Sequence, residues 1–251
     1  MRILSFFFML MISAVGFAQN KVVAHRGAWK NTGAPQNSLE ALRHSFDMKC
    51  GGTEFDINMT RDGVLVINHD TDYFGTKIEE HTYAELNQTK LKNGENLPLL
   101  EDFFKMAKKY PATVLFAEVK PSPAGAARSA EIAEATYRMA RKYKVLKRTV
   151  FISFSYDAVL KLVALDKKAR VQYLSGDKSP ELLKAAGVPG LDYHYAIFEK
   201  NPDWLSRAKG LGLSTNVWTV NKPETMAALL AQGVDYLTTD EPEKALELVK
   251  H

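Results

Sequence analysis

The sequence predicts an α/β fold, a single (β/α)8 TIM barrel with a short insertion after the second strand, and three observations predict it. Eight β-rich runs from Val22 onward are each followed by a stretch with helical spacing. No glycine-rich phosphate fingerprint follows the first run, which disfavours the alternative of an open doubly wound sheet. No linker or break in composition divides the 251 residues, and barrels of this type commonly reach about 250 residues as one domain.

Ahead of the barrel, Arg2 precedes an uncharged apolar run, residues 3–18, that ends in Gly16-Phe17-Ala18. This is the layout of a secretory signal peptide with cleavage after Ala18. At 16 residues the run is short for a membrane span, which needs about 20. No cysteine stands at its end to carry a lipid anchor. The expectation is a signal over 1–18 and a mature domain over 19–251 with no stable membrane anchor. Delivery is then across the inner membrane, to a periplasm if the source has two membranes.

The first strand, 22–24, leads into His25-Arg26-Gly27 and then a helix over 38–48. The second strand, 54–57, lies in a stretch that alternates Phe55, Ile57 and Met59 with Glu54, Asp56 and Asn58. Arg61-Asp62-Gly63 reads as a tight turn before a further β-rich run at 64–67, which belongs to the loop region or forms a hairpin beside strand two. Residues 71–96 are polar and form the insertion. From there the rhythm is regular: helix 100–109, strand 113–119, helix 126–143, strand 149–153, helix 156–165, strand 170–174, helix 180–186. A weak strand at 191–195, helix 202–209, strand 213–220, helix 223–232, strand 236–239 and helix 243–250 complete the set.

Hydrophobic residues at 46% and charged residues at 25% are ordinary globular values, which exclude a disordered or multi-span chain. The single cysteine, Cys50, excludes an intrachain disulfide framework and a Cys-rich zinc module. A formal charge of +4 is too small to argue for nucleic acid. The pairs Lys108-Lys109 and Lys167-Lys168 fall at helix ends without interleaved aromatics, so no nucleic-acid partner is expected.

In a (β/α)8 barrel the chemistry sits at the C-terminal ends of the strands. Those ends carry His25 and Arg26, then Glu54 and Asp56, then Glu118 and Lys120. Strand alternation points Glu54 and Asp56 to the same side, and Glu118 and Lys120 repeat the geometry. Three carboxylates at one mouth repel each other without a cation. A hard divalent ion with oxygen ligands, Mg²⁺ or Ca²⁺, fits them; surface carboxylates paired with lysines are the plainer reading, weakened by the apolar strand around Glu54. His25 and His69 each follow a strand and suit acid–base work near neutral pH. Arg26 and Lys120 supply positive charge for a phosphate. Trp218, at a strand end, suits either a ligand wall or ordinary packing. His44, His81 and His251 read as solvated or structural, and His194 stays unassigned.

These residues fall in the order seen in glycerophosphodiester phosphodiesterases, which the chain resembles from Val22 to about Val249. The resemblance rests on His25-Arg26-Gly27, Pro35-Gln36-Asn37-Ser38, Glu54-x-Asp56, Asp62-Gly63 and His69-Asp70. Downstream it rests on Leu97-Pro98-x-Leu100-Glu101, Glu118-x-Lys120, Ser153-Phe154, Trp218-Thr219-Val220-Asn221 and Thr239-Asp240-x-Pro242. It implies hydrolysis of a small-molecule glycerophosphodiester to glycerol 3-phosphate and an alcohol. It implies one divalent metal on Glu54, Asp56 and Glu118, and acid–base roles for His25 and His69. It implies phosphate contacts from Arg26 and Lys120, and a pocket wall at Trp218. One departure stands out: Gln36 replaces the family's usual glutamate, removing a charge that either helps the metal or holds Arg26. The insertion also lacks the usual arginine–threonine pair after His69-Asp70, which bears on headgroup choice.

Three rival readings have stated supports. A phospholipase-like enzyme acting on intact lipids needs an apolar rim, for which Tyr73 and Phe74 are the candidates. A periplasmic binding protein with decayed catalysis has only Gln36 in its favour. A glycoside hydrolase also uses paired carboxylates, but two strand-end histidines and two cations fit phosphate better. The nucleophile, water or the substrate's own 2-hydroxyl, is left open by the sequence.

Overall fold

A computed structural model describes residues 20–249. The expected signal segment lies outside the described residues. Eight parallel strands close into a barrel: β1 (Val22–Ala24), β2 (Gly52–Met59), β6 (Val114–Val119), β7 (Thr149–Ser153), β8 (Arg170–Tyr173), β9 (Gly190–His194), β10 (Ser214–Trp218) and β11 (Tyr236–Thr239). Closure is made by β1, which pairs in parallel with both β11 and β2.

Around the barrel lie α1 (Leu39–Asp47), α3 (Leu100–Ala107), α4 (Ala126–Lys142), α5 (Tyr156–Leu165), α6 (Pro180–Ala185), α8 (Trp204–Gly210), α9 (Pro223–Ala231) and α10 (Pro242–Leu248). Helix α1 shows how the sequence sets such an element. The Ser38 hydroxyl caps it by accepting from the Ala41 N–H at 3.0 Å. Ala41, Leu42, Ser45 and Phe46 then form its buried stripe.

Alternation along the strands divides the apolar residues between two cores. One lies between strands and helices and includes Phe55, Ile57, Leu100, Phe103, Phe104 and Leu115. The other fills the lumen with Val23, Val114, Phe116, Val150, Ile152, Leu174 and Tyr236. Both faces of β2 are therefore buried, and its alternation of apolar and acidic residues separates helix side from lumen rather than core from solvent.

The run at 64–67 becomes β3 (Leu65–Ile67), antiparallel to β2, so it forms a hairpin beside strand two. The insertion holds a small hairpin, β4 (Asp72–Tyr73) with β5 (Thr76–Lys77), a 3-10 turn at Ile78–Glu80, and the four-residue helix α2 (Tyr83–Leu86). It has its own cluster of Val66, Tyr73, Ile78, Leu86 and Leu97. Neither α2 nor a second helix, α7 (Tyr195–Lys200), was expected; α7 starts directly after β9, with the His194 side chain accepting from the Ala196 N–H. Among the described residues no helix is long and apolar enough to cross a membrane.

Candidate active site

Strand β1 ends at Ala24 and delivers His25, Arg26 and Gly27 to the mouth of the barrel. Gly27 has φ +78°, and a Cβ there would lie 2.7 Å from the Ala41 carbonyl carbon of α1. Arg26, at φ +56°, is in the left-handed region that non-glycine residues rarely occupy. Its N–H donates to Glu54 Oε2 at 2.8 Å, and its carbonyl accepts from the N–H of Asn37 at 2.9 Å. Asn37 is itself left-handed at φ +60°. Two strained residues are thus tied to each other and to a carboxylate, the kind of local cost that persists where the surroundings fix it.

Glu54 and Asp56 share the lumen face of β2, and Glu118 faces the same space from β6, where Asp56 and Glu118 are register partners. One oxygen from each carboxylate lies within 4.8 Å of the others. All three side chains are buried. Burial, then the charges of Asp56 and Glu118, push the Glu54 carboxyl well above its ordinary range. Burial and Asp56 push Glu118 up to about 7, with Lys120 opposing. Burial would raise Asp56 too, but Lys120, His69, Arg26 and a bond from Asn37 outweigh it and hold this group low. Lys120 Nζ lies 2.8 Å from Glu118 Oε1 and 3.2 Å from Asp56 Oδ1. Burial works against its charge, yet the two carboxylates hold it above the usual lysine range.

Glu54 Oε1 is buried and has no hydrogen-bond partner among the described residues. Three convergent carboxylates with an unsatisfied oxygen fit a hard divalent cation.

Each of the two histidines gives Nδ1 to a carboxylate, His25 to Asp240 and His69 to Asp70, both at 2.7 Å. Asp240 is held below the usual range: burial would raise it, but the bond and charge of His25 prevail, with help from Asn221. An ionised Asp240 has no proton to give, so Nδ1 of His25 carries the hydrogen and Nε2 is the nitrogen available for proton transfer. Burial lowers His69 from its ordinary 6.5, and the nearby Asp56 only partly offsets this.

His25, Arg26, Glu54, His69, Glu118, Lys120 and Trp218 all line one cavity of about 120 Å³. Asp56 lies behind them, joined to Lys120, Arg26 and Asn37. The structure therefore brings together every site residue that the sequence nominated. Trp218 forms a wall with its ring edge-on to Phe154 at 5.5 Å and to His194 at 5.2 Å. Its indole N–H is used internally, donating to the Asp192 carbonyl at 2.9 Å.

The model of the glycerophosphoryl diester phosphodiesterase family matches residues 25–244. The chain belongs to that family. It is 42% identical to a glycerophosphodiester phosphodiesterase of known structure from Parabacteroides distasonis, with a TM-score of 0.89, covering 92% of this chain and 97% of that one. It is 26% identical over 243 residues to a glycerophosphodiester phosphodiesterase from Caldanaerobacter subterraneus, covering 91% of this chain and 97% of the relative. A phosphodiesterase from Oleispira antarctica, solved in complex with the product sn-glycerol-3-phosphate, shares the fold with a TM-score of 0.80 at 23% identity, covering 93% of this chain and 98% of that one.

Against the family pattern, the position of Gln36 is informative. Its Oε1 accepts from an Arg26 guanidinium N–H at 2.7 Å. Gln36 therefore acts on Arg26, which it holds through a neutral acceptor.

Sequence reasoning quoted Asn37, Asn221 and Asp240 as motif residues without a role and passed over Asp192. Asn37 aims Asp56, donating Nδ2–H to Asp56 Oδ2 at 2.8 Å and accepting the Asp56 N–H at 3.2 Å. Asn221 holds Asp240 from both sides, through Nδ2 at 2.8 Å and Oδ1 at 2.9 Å. For Asn221 and Asp240 the available signal was their place just after β10 and β11, where polar residues are expected to serve the site; Asn37, on the loop before α1, carried no such signal.

The insertion walls a larger groove beside the mouth, about 630 Å³, lined in part by Trp29, Gln36, Asp70, Tyr73 and Phe74. Of the two aromatics proposed for a lipid-facing rim, Tyr73 is buried and bonded to the Thr89 carbonyl, so only Phe74, 62% exposed, projects from the insertion.

Proposed function

We propose that this chain is an exported, metal-dependent glycerophosphodiester phosphodiesterase that releases glycerol 3-phosphate and an alcohol. The observation that carries the reading is one cavity lined by two of three convergent carboxylates, with the third, Asp56, directly behind them, together with two cations and two carboxylate-held histidines. Family membership and the activities named for the relatives support it.

Arg26 and Lys120 bind the phosphoryl oxygens and fix the phosphorus between the histidines. One histidine takes the proton of the attacking oxygen, whether of water or of the substrate's 2-hydroxyl. The other gives its proton to the oxygen of the departing alcohol. With water as nucleophile this yields glycerol 3-phosphate directly, and the two histidines regain their starting protonation through solvent; with the 2-hydroxyl it yields a cyclic phosphate, which water then opens to glycerol 3-phosphate with the histidine roles reversed. Glu54, Asp56 and Glu118 would hold one divalent cation, Mg²⁺ or Ca²⁺, which adds charge stabilisation at the phosphoryl oxygens. The departing alcohol faces the groove walled by the insertion, which makes that groove the place where headgroups are chosen. Of the two rim candidates only Phe74 is exposed, which is thin support for a lipid-surface enzyme.

The test is hydrolysis of glycerophosphocholine, glycerophosphoethanolamine and glycerophosphoinositol by the chain beginning at Gln19, with Mg²⁺, Ca²⁺ or EDTA. Release of glycerol 3-phosphate that EDTA abolishes is expected. No release from all three by folded, metal-loaded protein overturns the reading. Export rests on the apolar run over 3–18. A mature chain whose mass begins at Gln19 outside the cytoplasm is expected, and an uncleaved cytoplasmic chain refutes it.

A further inference from the structure

Asp192 lies on β9 with its side chain turned into the lumen and only 1% exposed. Its Oδ2 accepts from Asn216 Nδ2 at 3.0 Å. Its Oδ1 is buried with no hydrogen-bond partner among the described residues, although Asp192 lines the same cavity as His25 and Glu118. A buried polar atom without a partner calls for an explanation, such as local strain, an ordered water, an ion or a ligand.

The rest of the cavity limits what that is. One side presents Arg26, Lys120 and the carboxylate cluster, which suit a phosphate with a cation. The other presents Ile152, Phe154, Leu174 and Trp218, which suit a short carbon chain. On that apolar side the Thr238 hydroxyl is already engaged by Asn216 at 2.9 Å. Asp192 is not grouped with the clustered carboxylates, so a shared cation does not account for it.

We infer that Asp192 recognises the glycerol moiety, with its free Oδ1 hydrogen-bonding a glycerol hydroxyl. This rests on reading the cavity as a glycerophosphodiester site. A hydroxyl both donates and accepts, so it satisfies a carboxyl in either protonation state. Burial, helped by Glu118 and opposed by the Asn216 bond, raises the Asp192 carboxyl well above its ordinary range, which favours the neutral form. Trp218 donates its indole N–H to the Asp192 carbonyl, so the apolar wall and the carboxyl are positioned as one unit.

Calorimetric titration of the metal-loaded chain with glycerol 3-phosphate and with n-propyl phosphate, which has the same carbon chain without hydroxyls, tests this. The wild type binds glycerol 3-phosphate roughly tenfold or more tighter, since a site built for a hydroxyl rejects the analogue lacking it. Asp192→Ala brings the ratio to about one while leaving n-propyl phosphate within about twofold of wild type. Asp192→Asn, nearly isosteric and so the safer variant for folding, lowers the ratio by at least about threefold. A wild-type ratio near one overturns the inference. So does a ratio undiminished in either folded variant, or an equal weakening of both esters in both variants. Loss of glycerophosphodiester hydrolysis with the binding preference intact would instead sink the proposed activity and leave the recognition standing.

Discussion

His25 and His69 make the same 2.7 Å bond from Nδ1 to an aspartate, yet the two pairs are assembled differently. The His25 pair joins residues 215 positions apart, brought together because β11 closes the barrel against β1. Asp240 is then gripped by Asn221 through two bonds, and the pair is about one-fifth exposed. The His69 pair joins chain neighbours on the loop after β3, with Asp70 70% exposed. There the structure grips the backbone: the Asp70 carbonyl accepts from Asn58 at 3.2 Å and Asn68 at 2.8 Å. A long-range carboxylate, held by Asn221 at one oxygen and at its own backbone N–H, fixes ring orientation and tautomer. An exposed neighbouring carboxylate fixes little, because solvent screening leaves such pairs worth about 0–1 kcal/mol.

The largest expected effects test what the two sites share. His25→Ala and His69→Ala should each lower kcat by about 10²–10⁴-fold with unchanged thermal unfolding; normal turnover in either folded variant breaks the pairing of roles. Their difference is sharpened by the carboxylates. Asp240→Asn should cost on the order of 10²-fold in kcat, with KM little changed, because the amide leaves the ring free to adopt the wrong tautomer. Asp70→Asn should cost no more than about fivefold. Equal losses would mean that barrel closure contributes nothing special to His25.

The smallest effect is a titration. In metal-free protein His69 should gain its proton below pH 6.5, its ordinary value, because burial disfavours the imidazolium. The unfolded chain binds that proton first, so this residue withdraws stability as pH falls below 6.5. The Asp70 bond raises the His69 value, so Asp70→Asn should move it further down, by less than about one unit. NMR titration of the ring reads the shift; an upward move would show that Asp70 is not acting on His69 as a carboxylate.

The sequence by itself determined the barrel. Strand and helix periods are local properties, and eight alternating units leave few ways to bury every apolar face. It also determined which side of β2 carries Glu54 and Asp56, since alternation is geometric, and it placed His25, Glu118 and Lys120 at strand ends. The insertion was legible only as a polar stretch, because its hairpin and single-turn helix are too short to show a period. The helix after β9 was hidden for the same reason, since six residues give little periodicity.

Only the tertiary structure decided the partnerships. Asp240 with His25, Asn37 with Asp56 and Gln36 with Arg26 depend on which strand ends and loops adjoin after closure. Asp192 was invisible for a related reason. An acidic residue within a weak strand looks like a solvent-facing position. Its meaning comes from a lumen that leaves one of its oxygens without a partner among the described residues. Periodicity reports the face on which a side chain lies, whereas hydrogen bonding requires the angstrom-scale register between strands that only the closed barrel fixes.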